Sequence, residues 1–164
     1  MKDASDFTLA VTGGAYLQHM TERLLKSRFV RLNKEDERRM FDAGQNGFLS
    51  SFSAQLRLCF ALGLLDLNIY EDLLLMNDIR NTFAHSMRKV DFRSNEIVQD
   101  CDRINFKLGG SEPSERVKAN PAFFTFHNAL LIYAVSLRAI SLGMKVTTLE
   151  ELQVASQHFF AAPS

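Results

Sequence analysis

The stretch Ile69-Tyr70-Glu71-Asp72-Leu73-Leu74-Leu75-Met76-Asn77-Asp78-Ile79-Arg80-Asn81-Thr82-Phe83-Ala84-His85 decides the fold. On a wheel of about 100° per residue, Leu75, Met76, Ile79 and Phe83 fall within about a third of the circumference, a stripe that faces a core. Asn68, just before it, reads as the helix cap. The opposite side carries Asn77, Arg80, Asn81 and His85 among Leu73, Leu74 and Ala84. A solvent face would hold Glu and Lys. Amides, an arginine and a histidine among leucines are the composition of an interface or a cleft.

Helical periodicity continues on both sides, and no run alternates like a strand. Ser5-Asp6 reads as the cap of a first helix to about Phe29, with Ala10, Leu17, Met20 and Leu24 on one stripe and Gly13-Gly14 marking a kink or a close helix contact. Asn33 reads as the cap of a charged element ending near Phe41, and residues 42–47 as a loop. Ser51 or Ser53 opens a helix that Gly63 stops, and Ser94 opens another that ends near Ile104. Residues 107–120, with Gly109-Gly110 and Pro113, read as a surface loop. Asn120-Pro121 starts a long helix, because proline at the first helical position has no amide to waste. Phe126, Leu130, Tyr133, Leu137, Ile140 and Met144 then form a seam for a neighbouring helix in the bundle or across a dimer. A short helical tail runs from Thr148 to about Phe160. The expectation is one all-α domain over residues 1–164, a bundle of roughly five to seven helices.

Composition narrows the function. Of 164 residues, 46% are apolar and 23% charged, the balance of a globular chain. Nineteen basic and nineteen acidic side chains cancel, which removes weight from a dedicated nucleic-acid coat or membrane-surface protein. Cys59 and Cys101 have no CxxC partner and read as buried thiols of a reducing cytosol. His19, His85, His127 and His158 lack metal-ligand spacing, so neither a metal nor a cofactor is expected. The start of the chain lacks an apolar leader segment. Residues 121–143 are interrupted by His127, Asn128 and Arg138, which suits a buried helix better than a membrane span. The expected location is the cytoplasm.

Two features point to chemistry or to contacts. Asn77, Asn81 and His85 ladder at i, i+4 and i+8, with Arg80 one step around. A protonatable histidine beside a permanent cation suits phosphodiester chemistry; the same pair also serves as a clamp, Arg80 on an acid and His85 on helix-end carbonyls. The second feature is a basic run with Arg23, Lys26, Arg31, Arg38 and Arg39, interleaved with Glu22, Glu35, Asp36 and Glu37. It reads as a phosphate-contacting patch or as a solvated, ion-paired surface.

Leu56-Arg57-Leu58, Ala61-Leu62-Gly63-Leu64-Leu65, Tyr70-Glu71-Asp72, Ile79-Arg80-Asn81-Thr82-Phe83-Ala84-His85-Ser86, Phe92, Glu96-Ile97 and Cys101 resemble, in order and spacing, the mannitol operon repressor family over residues 48–105. The resemblance implies an all-helical transcriptional regulator of a sugar-utilisation operon that acts mainly through protein partners. The string Arg80–His85 also resembles the R-x4-6-H signature of HEPN-type helical proteins. That likeness implies a metal-independent endoribonuclease at a dimer cleft: Arg80 on the phosphate, His85 as general acid or base, Asn81 in the polar position after the arginine. The favoured expectation is a non-enzymatic regulator, a homodimer through Asn77, Arg80, Asn81, Ala84 and His85, with a protein partner. DNA or RNA contact through the Arg23–Arg39 patch is secondary, and no membrane is involved.

Overall fold

The computed structural model describes residues 2–107, 114–145 and 148–160. Gly109-Gly110 and Pro113 lie outside the described residues, as does the side chain of His158. Among the described residues eight α-helices run in chain order: α1 Lys2–Arg28, α2 Lys34–Phe41, α3 Phe52–Ala61, α4 Leu67–His85, α5 Asn95–Arg103, α6 Glu115–Ala119, α7 Pro121–Ser141 and α8 Leu149–Phe160. No strand occurs among the described residues, so the all-α reading holds. Leaving aside α6, a single turn five residues long that forms inside the stretch read as a loop, the count is within the expected range.

Several helix starts follow side-chain chemistry. Asn33 accepts from the Asp36 amide, Ser51 from the Ala54 amide, and Asn120 from the Phe123 amide ahead of Pro121. Three starts differ from the sequence reading. α1 is already helical at Lys2, and Asp6 accepts from the Phe92 amide at 3.2 Å, so it ties the helix to a distant segment instead of capping it. Asp66, not Asn68, caps α4, taking the Asn68 amide at 3.0 Å. Ser94 precedes α5 but donates its hydroxyl to Asp91, leaving the α5 amides without a side-chain cap. Gly63 ends the turn after α3 with φ of 65°, a conformation that costs an L side chain more than glycine.

α1 is the central strut. It packs against α7, α4 and α3. Gly13 faces Leu130 of α7, and Gly14 faces Arg80 of α4. A Cβ built on Gly13 would stand 2.6 Å from Leu130 Cδ2, and one on Gly14 would stand 2.6 Å from Arg80 Cγ. The glycine pair therefore marks a close contact of three helices. At the far end, Arg28 donates to the Ile140 carbonyl at 2.8 Å, so α1 and α7 run in the same direction.

The seam of α7 is spent inside this chain. Phe126, Leu130, Tyr133, Leu137 and Ile140 are buried, and only Met144, past the helix end, is exposed. A second α7 stripe remains outside: Leu131, Val135 and Leu142 are exposed. Phe92 closes the other end of the core, with ring centroids 5.1 Å from Phe83 and 5.3 Å from Phe126. α7 has the length and apolarity of a membrane span, but one of its faces is core.

Candidate functional site

α4 carries the residues that its sequence singles out, and its wheel is wider on the core side than the periodicity suggests. Leu73 is fully buried with Met76, Ile79 and Phe83, while Leu75 is half-buried. Asn77 is only 8% exposed, yet its side chain makes no hydrogen bond among the described residues. Arg80 and Asn81 are half-buried; Ala84 and His85 are exposed.

Arg80 lies with its aliphatic stem over Gly14, and its Nη1 donates to Asn81 Oδ1 at 2.8 Å. No carboxylate pairs with it among the described residues. His85, the last residue of α4, makes no hydrogen bond there either; the Ser86 amide closes the helix on the Thr82 carbonyl. The ion-paired clamp is thus not formed. Arg80 and His85 nevertheless stand five positions apart, about 140° around the helix, so they diverge within one chain. Asn77, Arg80, Asn81 and Ala84 share one long side of α4, with the Arg80 guanidinium and the Asn81 amide half-buried there and the Asn77 amide buried beside them.

The basic run is spent in part on its own acids. Lys26 pairs with Glu22 at 2.6 Å and with Glu37, and lies 4.8 Å over the Phe41 ring. Partial burial lowers the Lys26 pKa, but the two carboxylates outweigh that and hold it above its ordinary value. Arg39 pairs with Glu35 at 3.1 Å. Arg23, Arg31 and Arg38 are exposed without an ion pair among the described residues. Two of the five are thus engaged by carboxylates and three are not.

Sequence reasoning passed over Asp72. It is 1% exposed and accepts from the Asn105 amide at 2.6 Å, Asn105 Nδ2 at 2.9 Å, the Phe106 amide at 2.9 Å and the Tyr133 hydroxyl. One carboxylate so joins α4, α7 and the segment after α5. Burial, then the adjoining carboxylate, push the Tyr133 phenol well above its usual range. The signal was present: Asp72, Met76, Ile79 and Phe83 fall at i, i+4, i+7 and i+11, a carboxylate in the core stripe. Asn105 in turn accepts from Gln153 at 3.4 Å, which brings α8 to the same place.

A family model described as mannitol repressor matches residues 43–135, more than half of the chain and the whole of α3, α4 and α5. No curated protein sequence matches. Among solved structures, a chain of the X-ray structure of the MtlR-HPr complex from Escherichia coli is similar, at 16% identity and a TM-score of 0.53. The likeness covers 90% of this chain and 89% of that one. At that identity it speaks for the fold.

Proposed function

Because the chain belongs to the mannitol repressor family, we propose that it is a cytoplasmic transcriptional regulator of the mannitol-repressor type, working mainly through protein contacts in a sugar-utilisation operon. Its partner on this reading is a protein of the HPr type, as in the complex of the structural relative. The observation that carries the reading is the family match, which falls on the α3–α5 region. DNA is kept as the secondary contact because two of the five cations of the basic run, Lys26 and Arg39, are already paired with Glu22, Glu37 and Glu35, which leaves Arg23, Arg31 and Arg38 for phosphate. Self-association as a homodimer belongs to the same reading. The Asn77–Arg80–Asn81–Ala84 side of α4 offers amides and a guanidinium without a carboxylate partner, groups that a second copy would satisfy.

The test is affinity capture of the tagged chain from its native host, with identification of bound protein and sequencing of bound DNA. The reading expects HPr in the captured fraction and little operator enrichment. Strong operator enrichment without any protein partner would replace it with direct repression.

A second reading, metal-independent RNA cleavage by Arg80, Asn81 and His85, is favoured by one observation: Arg80 is not neutralised by an acid among the described residues, and His85 is exposed. Their divergence around α4 requires that a partner protomer complete the site. RNA cleavage that survives EDTA and disappears in folded Arg80→Ala and His85→Ala would establish it. Intact RNA after incubation with the wild-type dimer would remove it.

A further inference from the structure

Along α7 the residues Phe124, Asn128, Leu131, Val135, Arg138 and Leu142, the last just past the helix end, recur at four-three spacing and fall within about 80° of the circumference. They lie on the side opposite the buried seam of Phe126, Leu130, Tyr133, Leu137 and Ile140. Phe124 and Asn128 are half-buried and the other four exposed; Val135 and Leu142 keep more than two thirds of their surface in water. Arg138 carries the one formal charge in the 21 residues of α7. A helix with a single face in a core would set Glu and Lys on the other. This helix has a second apolar seam instead, about 27 Å long.

The order of residues within the stripe selects what covers it. From either end it runs apolar, polar, apolar, apolar, polar, apolar. Two copies of α7 set antiparallel about a two-fold axis level with Tyr133 therefore match position by position. Phe124 meets Leu142 of the second copy, Asn128 meets Arg138, and Leu131 meets Val135. The polar pair is complementary, because the Asn128 side-chain carbonyl accepts what the guanidinium donates. Within one chain these two residues stand about 15 Å apart along α7 and cannot pair. Parallel pairing in register would set Arg138 against Arg138, a like-charge contact. A two-fold contact needs a surface complementary to itself, and the antiparallel stripe meets that condition. We propose that this stripe is a face through which two copies of the chain associate, α7 antiparallel on α7. The proposal rests on the self-association read above and gives it a surface that shares no residue with the Asn77–Ala84 side of α4.

The experiment is sedimentation velocity of the full-length chain from about 1 to about 100 µM. The wild-type chain is a dimer in the upper part of that range. L131E/V135E sets four carboxylates around the two-fold axis and stays monomeric throughout. It keeps the wild-type melting curve at the lowest concentration, where both proteins are monomers. N128E sets a carboxylate against the guanidinium of the second copy and tightens the dimer about threefold or more, a gain that fades as salt rises. A dimer that survives L131E/V135E, or that N128E loosens, overturns the α7 face while leaving self-association itself. Loss of the dimer in A84E alone would assign the contact to the α4 side. A monomeric wild-type chain at the highest concentration overturns both, and its flotation with phosphatidylglycerol vesicles would give the stripe to a lipid surface.

Discussion

Replacing Asp72 with alanine removes the acceptor for four donors at once. The donors differ in what they lose. Asn105 is exposed and rehydrates, so its two groups cost little. Phe106 is 1% exposed and Tyr133 fully buried, so the Phe106 amide and the Tyr133 hydroxyl are stranded away from water. Each stranded donor costs about 1–3 kcal/mol, which places Asp72→Ala near 4 kcal/mol, in a range of about 2–6. For a domain of this size that is a fall of about 8–16 °C in melting temperature. Tyr133→Phe removes one donor and leaves the carboxylate three, so it costs about 1–2 kcal/mol. In the double variant the two losses overlap, giving a total well below their sum. Urea unfolding of the four proteins at neutral pH reads all of this. A loss below about 1 kcal/mol for Asp72→Ala, or strict additivity with Tyr133→Phe, would refute the argument that this carboxylate joins α4, α7 and the Asn105 segment.

Gly14→Ala pushes a methyl against the Arg80 stem and destabilises by about 1 kcal/mol despite the gain in helix propensity; Arg80→Ala beside it restores the loss, as thermal melts of both variants would report. Phe126→Ala costs about 3–5 kcal/mol by chemical denaturation, while Val135→Ala on the exposed stripe stays within about 0.5 kcal/mol. Burial raises both Cys59 and Cys101 from 9.0 to about 12, so neither reacts with a thiol reagent at pH 8 until urea unfolds the chain. Because the folded thiols hold their protons more tightly than unfolded ones, their stabilising contribution is intact below pH 9 and is lost as pH climbs toward 12, measurable as a falling urea midpoint.

The helices were legible because their apolar residues recur with helical period, and the starts at Asn33, Ser51 and Asn120-Pro121 because one side chain at one position satisfies the amides. Asp6 and Asn68 misled for a tertiary reason: both are good caps, but a distant amide claimed Asp6 and a nearer acid, Asp66, capped α4. The α7 seam could be read but not its partner, since a 4-3 spacing fits an intramolecular neighbour as well as a second copy. The glycine pair announced close packing without naming Leu130 and Arg80 as the residues that fill the space. Arg80 and His85 stood out by residue type. Asp72 did not, although it was the acid on the core stripe, because its four donors come from segments 33 to 61 residues away.

Direct calorimetry between the purified wild-type chain and HPr of the same host bears most closely on the account of this chain as a protein-contact regulator. The account predicts saturable binding at low micromolar or tighter affinity, roughly −8 kcal/mol or more favourable. An absence of heat and of any complex by sedimentation, with both proteins at about 100 µM, would contradict it.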